Sequence, residues 1–423
     1  MFFYFHFQFF TFLPIFYFLF FKKKLDKFIF LLINIKMSVT LRRSVPLNVP
    51  ANGVHSENDT VDFVLTHEGE SLELGSIRLE GELQIRNNDA NLNIIANDGK
   101  DIVIDRWIGA HTIVENIQTE ISSGLVENVS HYGRYVKMRA IGEKSMPDLG
   151  DGSNACELRC QSRLLMKRVL AGIVPKTQPP QAFTDDEIIF RDPDFSFKPD
   201  IAMNSTDGEL PYRRTGDIRI SVILNTNSGV TYGLDSSSTL TKYFVKDLRL
   251  TYRTKPDDGS APPSVRLHSK IGISQSLQSN LANIQAQVPA VCRAVSCSFQ
   301  KQSQLNNSSF NNYTTEQLPQ LESLQFLYND STNKGVSYLI RDNVDAVDRY
   351  IDSFADTGSN NMSRNNQSNN EGYGIGLDFD DDIDLRNQKL NIQIKTGDGQ
   401  VGSGIQASDP MVMYMYFHSV INV

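Results

Sequence analysis

The chain closes on Met411-Val-Met-Tyr-Met-Tyr-Phe-His-Ser-Val-Ile-Asn-Val423, a long apolar and aromatic run with no polar tail after it. Such a segment must be covered, so the C-terminus is expected as a strand built into a sheet. Shorter segments with period-two alternation precede it. Ile77, Leu79, Gly81, Leu83 and Ile85 share one face of a strand, while Arg78, Glu80, Glu82, Gln84 and Arg86 share the other. Ile218, Ile220, Val222 and Leu224 repeat the pattern. So do Phe244, Leu248, Leu250 and Tyr252, with Lys246 as the exception. Strands with one wet face predict antiparallel sheets packed as a sandwich.

At 423 residues the chain is too long for one ordinary β-domain and suits two or three. Two stretches read as helix. Val126–Met138 would place Val129, Tyr132, Tyr135 and Val136 on one side, and Arg341–Phe354 would do so with Val344, Val347, Tyr350 and Ile351. Asn128-Val129 and Arg134-Tyr135-Val136 match Asn343-Val344 and Arg349-Tyr350-Ile351 at a constant offset of 215. Upstream, Glu115-Asn-Ile-Gln118 matches Glu322-Ser-Leu-Gln325 at an offset of 207. Matches in the same order indicate a duplicated unit of roughly 200 residues. The Pro/Gly/Asp cluster Thr254-Lys-Pro-Asp-Asp-Gly-Ser-Ala-Pro-Pro263 marks the seam between copies. The expected division is an apolar extension over 1–36, an N-terminal arm over 37–56, a first unit over 57–255, a linker over 256–265 and a second unit over 266–423. Lys242–Thr254 then closes the first unit as Met411–Val423 closes the second.

The extension stands apart, since thirteen of the 25 phenylalanines lie between Phe2 and Phe30. Phe2–Phe21 is long enough to span a bilayer, although Pro14 sits inside it. It lacks the leading basic segment and small-residue cleavage site of a signal peptide. Its Phe, Lys, Ile and Asn are the residues AT-rich codons give, so a spurious or disordered extension before Met37 competes with a membrane-contacting one.

The formal charge of −8 argues against a surface devoted to nucleic acid. Asn/Ser-rich tracts at 303–314 and 356–371 are expected as exposed, mobile loops. The cysteine pairs Cys156/Cys160 and Cys292/Cys297 miss zinc-knuckle spacing and are read as reduced, buried, small hydrophobes.

Local signatures of chemistry are lacking: there is no GxSxG elbow, phosphate loop, HExxH or HxH, and the histidines are scattered singly. His418 is expected as a hydrogen-bonded sheet histidine. No catalytic residue and no cofactor is assigned. Asp378, Asp380 and Asp382 are a weak calcium candidate, because carboxylates at alternate positions can converge on a hard cation. An EF-hand starting at Asp378 would need Gly and Glu where Ile383 and Lys389 stand. Weak basic clusters occur at Arg42-Arg43, on the arm, and at Lys167-Arg168 near Arg159 and Arg163.

Two similar β-units, an irregular excursion in each, and the ending Tyr373-Gly-Ile-Gly, Ile383-Asp-Leu-Arg-Asn-Gln-Lys-Leu390 and Tyr414-Met-Tyr-Phe-His-Ser-Val420 resemble the double jelly-roll major capsid proteins of the adenovirus, tectivirus, virophage and polinton-like virus lineage. Tyr132-Gly-Arg-Tyr135 is similar to that family's first-barrel helix. The resemblance implies an all-β fold of two tandem antiparallel jelly-roll sandwiches with short helices in the loops. It also implies a non-enzymatic protein of the virion, assembled as homotrimeric pseudo-hexagonal capsomers into an icosahedral shell of a DNA virus. Partners would be further copies, neighbouring capsomers, minor capsid or penton proteins and, through Arg42 and Arg43, the genome or an inner membrane. Two other readings compete. A minor capsid or penton-type protein commonly has one jelly roll, whereas this chain looks duplicated. A cellular carbohydrate-binding β-sandwich would want aromatic platforms, and the chain has a single tryptophan, Trp107.

Overall fold

The computed structural model describes residues 39–87, 102–143, 156–159, 192–233, 241–329, 335–340, 343–354, 373–397 and 404–423. The extension 1–36, the tract 356–371, Cys160, Arg163, Lys167 and Arg168 lie outside them.

The second half is the simpler to trace. Strands β14 (Arg266–Leu277), β21 (Met411–Asn422), β16 (Val291–Lys301) and β19 (Ile375–Asp384) lie side by side in that order. Opposite them lie β15 (Leu281–Ala286), β20 (Leu390–Thr396), β17 (Leu321–Asn329) and β18 (Gly335–Ile340). Phe299, Leu377 and Met415 of the first sheet meet Ile284, Phe326 and Ile392 of the second in one apolar core. Alternation makes that core, since β20 buries Leu390, Ile392 and Ile394 and turns Asn391 and Gln393 outward.

The first half repeats this arrangement. One sheet is centred on β13 (Thr241–Pro256), which pairs with β1 (Thr40–Ser44), β2 (Val54–His55), β4 (Glu70–Leu74) and β5 (Arg78–Asn87). β4 and β5 are successive stretches interrupted at Gly75, whose φ of +76° favours glycine. Beyond them lie β9 (Asp194–Phe197) and β10 (Gly208–Pro211). The facing sheet runs β3 (Thr60–Leu65), β11 (Ile218–Leu224), β7 (Val114–Ile121) and β8 (Gly124–Ser130). A short pair, β6 (Ile102–Val103) with β12 (Tyr232–Gly233), stands apart.

In each half a hairpin leads into a helix: β7 and β8 into α1 (Tyr132–Glu143), β17 and β18 into α2 (Asn343–Asp352). The duplication read from the sequence thus has a structural counterpart. Parallel pairing of Ile271 with Asn128 joins β14 to β8, so that two four-stranded sheets merge into one eight-stranded sheet running through both sandwiches.

Four sequence expectations need correction. The helix expected from Val126 begins only at Tyr132; Val126–Ser130 belongs to β8, and His131, at φ +52°, makes the turn between them. Asn128 and Asn343 therefore do not occupy equivalent places, and the matched triplets sit differently in their helices, Arg134 as the third residue of α1 and Arg349 as the seventh of α2. In β13 the buried residues are Tyr243 and Val245, then Leu248, Leu250 and Tyr252. A bulge between Lys246 and Arg249, with Asp247 at φ +52°, changes the phase and leaves Phe244 on the other face. Thr40–Ser44, expected on the N-terminal arm outside the first unit, is a strand of that unit's sheet, paired with Leu250–Thr254. Finally, Asn311, Asn312 and Tyr313, expected in a mobile tract, dock on the first sandwich.

Candidate functional site

Among the described residues an extensive polar network lies where the two sandwiches meet. Two glycines permit the close approach. A Cβ on Gly272 of β14 would stand 2.8 Å from the Ser130 carbonyl oxygen, and one on Gly133 of α1 would stand 2.7 Å from the Tyr313 ring.

Around these points α1 reaches into the second sandwich. Buried Arg134 donates to Gln300 of β16 and to the carbonyls of Asn312 and Thr314, and its guanidinium lies 4.0 Å over the Tyr414 ring. The Tyr416 hydroxyl donates to the His131 carbonyl at 2.9 Å. A planar fork of five donors suits three acceptors and an aromatic face at once.

The loop after β16 makes the reciprocal contacts. The Tyr313 hydroxyl donates to the Thr112 carbonyl at 3.2 Å and accepts from Asn225 Nδ2 at 2.8 Å. Asn312 donates to the Ser228 carbonyl at 2.9 Å. Asn311 Nδ2 donates to Asp105 at 2.7 Å, and Lys137 Nζ donates to the same carboxylate at 2.8 Å. Burial would raise the Asp105 pKa, but Lys137 and the hydrogen-bond donors hold it below the ordinary value. The Lys137 and Asp105 side chains are only 2% and 1% exposed, so neither ion has water as an alternative partner.

Nearer the eight-stranded sheet, Asp200 receives both Lys270 of β14 and Arg139 of α1. Burial opposes its charge, yet the two cations hold its carboxyl far below the ordinary range. Glu127 of β8 is fully buried; one oxygen accepts from Thr119 Oγ1 at 2.9 Å and the Ala202 amide at 2.7 Å. Its other oxygen has no partner among the described residues. Burial outweighs the attraction of Lys270 and pushes the Glu127 pKa up to about 7.

His418 of β21 is the hydrogen-bonded sheet histidine expected, with Nε2 2.7 Å from Ser296 Oγ on the neighbouring strand. Burial, then the nearby Lys270 and Arg139, lowers its pKa to about 3, so its ring is neutral at physiological pH. A cleft of about 270 Å³ beside α1 is lined by both signs of charge. Most of those charges are committed within it, Arg159 to Glu157 and Arg139 to Glu143 and Asp200, while Lys198 at its edge is exposed.

The other sequence candidates are dispersed. Asp378, Asp380 and Asp382 lie on β19, with a register shift opposite Cys292 and Ala294. Asp382 pairs with Arg293 at 2.7 Å, while the Asp380 side chain lies outside the described residues. Among the described residues no group of three or more His, Cys, Asp or Glu converges as a metal site would require. Arg42 is committed to Glu70 and Thr254, and Arg43 is exposed. Arg159 is buried and donates to His111 Nε2 at 3.0 Å, so it adds nothing to a surface basic cluster. Cys292 and Cys297 are free and buried as expected, whereas Cys156 is free but exposed. Trp107 is buried and offers no sugar platform.

Two sandwiches, the first of seven strands facing four and the second of four facing four, merged through one sheet, define a double jelly roll. The fold is shared with viral capsid proteins. PBCV-1 VP54, fitted into a reconstruction of the virophage Sputnik, matches 92% of this chain and 95% of its own at a TM-score of 0.53 and 9% identity. The Faustovirus major capsid protein matches 92% and 90% at 0.53 and 7% identity, and a chain of the Sputnik virophage structure 91% and 86% at 0.52 and 12%. Identity this low speaks to fold alone. No protein-family model and no curated protein matches the sequence.

Proposed function

We propose that the chain is the major capsid protein of an icosahedral virus, a structural component of the virion that self-assembles as homotrimeric, pseudo-hexagonal capsomers. The observation that carries this reading is the double jelly roll itself, shared with capsid proteins over about nine-tenths of the chain. Three chains of two sandwiches each present six similar units around a ring, provided the two sandwiches of a chain keep a fixed angle. The bonded contact between them supplies that rigidity. A single-sandwich penton protein has no need of it, and a carbohydrate-binding sandwich has no use for the duplication.

The N-terminal segment offers a contact surface for the assembly. Val39, Leu41, Val45, Leu47 and Val49 are 46 to 66% exposed, an unusual density of apolar side chains on water. In this reading they are covered by a neighbouring chain. Of the basic pair, Arg43 is the residue left available for genome or membrane, because Arg42 is held by Glu70.

The test is sedimentation and negative-stain imaging of the full chain and of the chain from Met37. Trimers and hexagonal particles are expected, and Leu47→Asp should weaken their association. A stable monomer that binds sugar saturably would replace the capsid reading with the carbohydrate-binding one.

A further inference from the structure

The two cations nearest Glu127, Lys270 and Arg139, bond to one acid, Asp200, and Arg139 also serves Glu143. Glu127 is the acid left over. It is fully buried on β8, the strand that joins the sandwiches, with one oxygen lacking any partner among the described residues. A buried carboxylate without a committed cation is costly, and a proton removes the cost.

We propose that Glu127 is a proton-binding device built into the contact between the sandwiches: it holds a proton while they are together and gives it up when they part. The groups facing it are Lys270 from β14, Asp200 and the Ala202 amide from the turn after β9, Thr119 from β7 and Tyr135 from α1. His418 of β21 lies beyond Lys270.

The direction follows from linkage. Closed, Glu127 titrates at about 7; opened to water, it returns to its ordinary value of 4.5. Between these values the closed state binds more protons, so Glu127's contribution is complete below the lower value and is lost as pH rises through the upper. His418 acts in the opposite sense, because it is neutral when buried and takes a proton on exposure below its ordinary 6.5. The two partly cancel in the wild-type profile, and a comparison of variants isolates Glu127.

The experiment uses the unassembled full chain, so its outcome is independent of whether the protein forms capsomers. Urea unfolding constants of wild type and Glu127→Gln are compared from pH 4.5 to 8. The wild-type constant should rise relative to that of the variant by up to about tenfold per pH unit as far as neutral, and then level off. A ratio that does not change with pH overturns the proposal. Infrared spectroscopy of the wild-type chain is the second measurement and requires no variant. It should show a buried, protonated carboxyl band at pH 6 that disappears above pH 8, and absence of that band at pH 6 also overturns the proposal.

Discussion

Replacing Arg134 with Met tests whether the two sandwiches are held by directed bonds or by apolar contact alone. Methionine keeps the unbranched stem and removes the fork. Gln300 Oε1 and the carbonyls of Asn312 and Thr314 then lose a donor in a region where Arg134 itself is only 4% exposed. An unsatisfied buried acceptor costs about 1–3 kcal/mol, and loss of the cation over Tyr414 adds about 0.5–2 kcal/mol. Repacking and water entry recover part of this, which leaves about 3–5 kcal/mol. At roughly 1.4 kcal/mol per factor of ten, even the lower figure raises the opening constant about 150-fold. Trp107 is the single tryptophan and is buried in the first sandwich, so its fluorescence follows that sandwich while far-ultraviolet circular dichroism follows both. In urea the two signals should coincide for wild type and separate for Arg134→Met. Arg134→Lys should recover charge without the fork and fall between them. Coincident transitions with a midpoint shift worth less than about 0.5 kcal/mol, within the usual range for an uninvolved surface site, would refute the reasoning.

Other perturbations probe the same contact. Gly272→Ala should cost about 1–3 kcal/mol in urea unfolding, since its Cβ meets the Ser130 backbone rather than a movable side chain. Lys137→Met should cost about 3–5 kcal/mol and appear in the Trp107 signal, because Asp105 would keep Asn311 and the amides of Trp107 and Ile108 but lose its buried cation. In a thiol-reagent assay of the folded chain, Cys156 should react promptly while Cys292 and Cys297 stay silent; burial pushes the Cys292 thiol up to about 12 and Cys297 higher still.

What the sequence disclosed follows from the range of each interaction. Alternation in Ile218–Leu224 is local, and burial in that strand follows it residue by residue. The phase change in β13 was hidden because two polar residues at a bulge look like any exposed pair until Asp247 is seen at positive φ. Val126–Ser130 was misread because its spacing also suits a helix, and pairing with β7, a tertiary fact, decided the matter. The contact between sandwiches was almost invisible: Arg134 meets Gln300 166 residues away, and Asn311 meets Asp105 across 206. A weak signal exists in Arg134-Tyr135-Val136, which reads in the sequence as one half of a repeat and not as a set of anchors.

That repeat shows how duplication became architecture. Tyr135 and Tyr350, paired in the sequence repeat, are both buried, so each helix keeps an aromatic anchor. Arg134 is buried against the second sandwich, whereas its counterpart Arg349 is only partly covered. The triplets match in sequence but stand in different turns of their helices, Arg134 in the first and Arg349 in the second, so what adjoins them differs. The helix of the first sandwich has a second sandwich beside it in the same chain, and there charge and hydrogen bonds add direction to apolar packing. Apolar surfaces alone would tolerate small rotations at little cost, while a fork held at three acceptors and two acids held by fixed cations would not. In the capsid function proposed above, identical double units need that angle to be the same in every copy, so the buried ions at this contact, individually costly, are where selection for a closed shell would act.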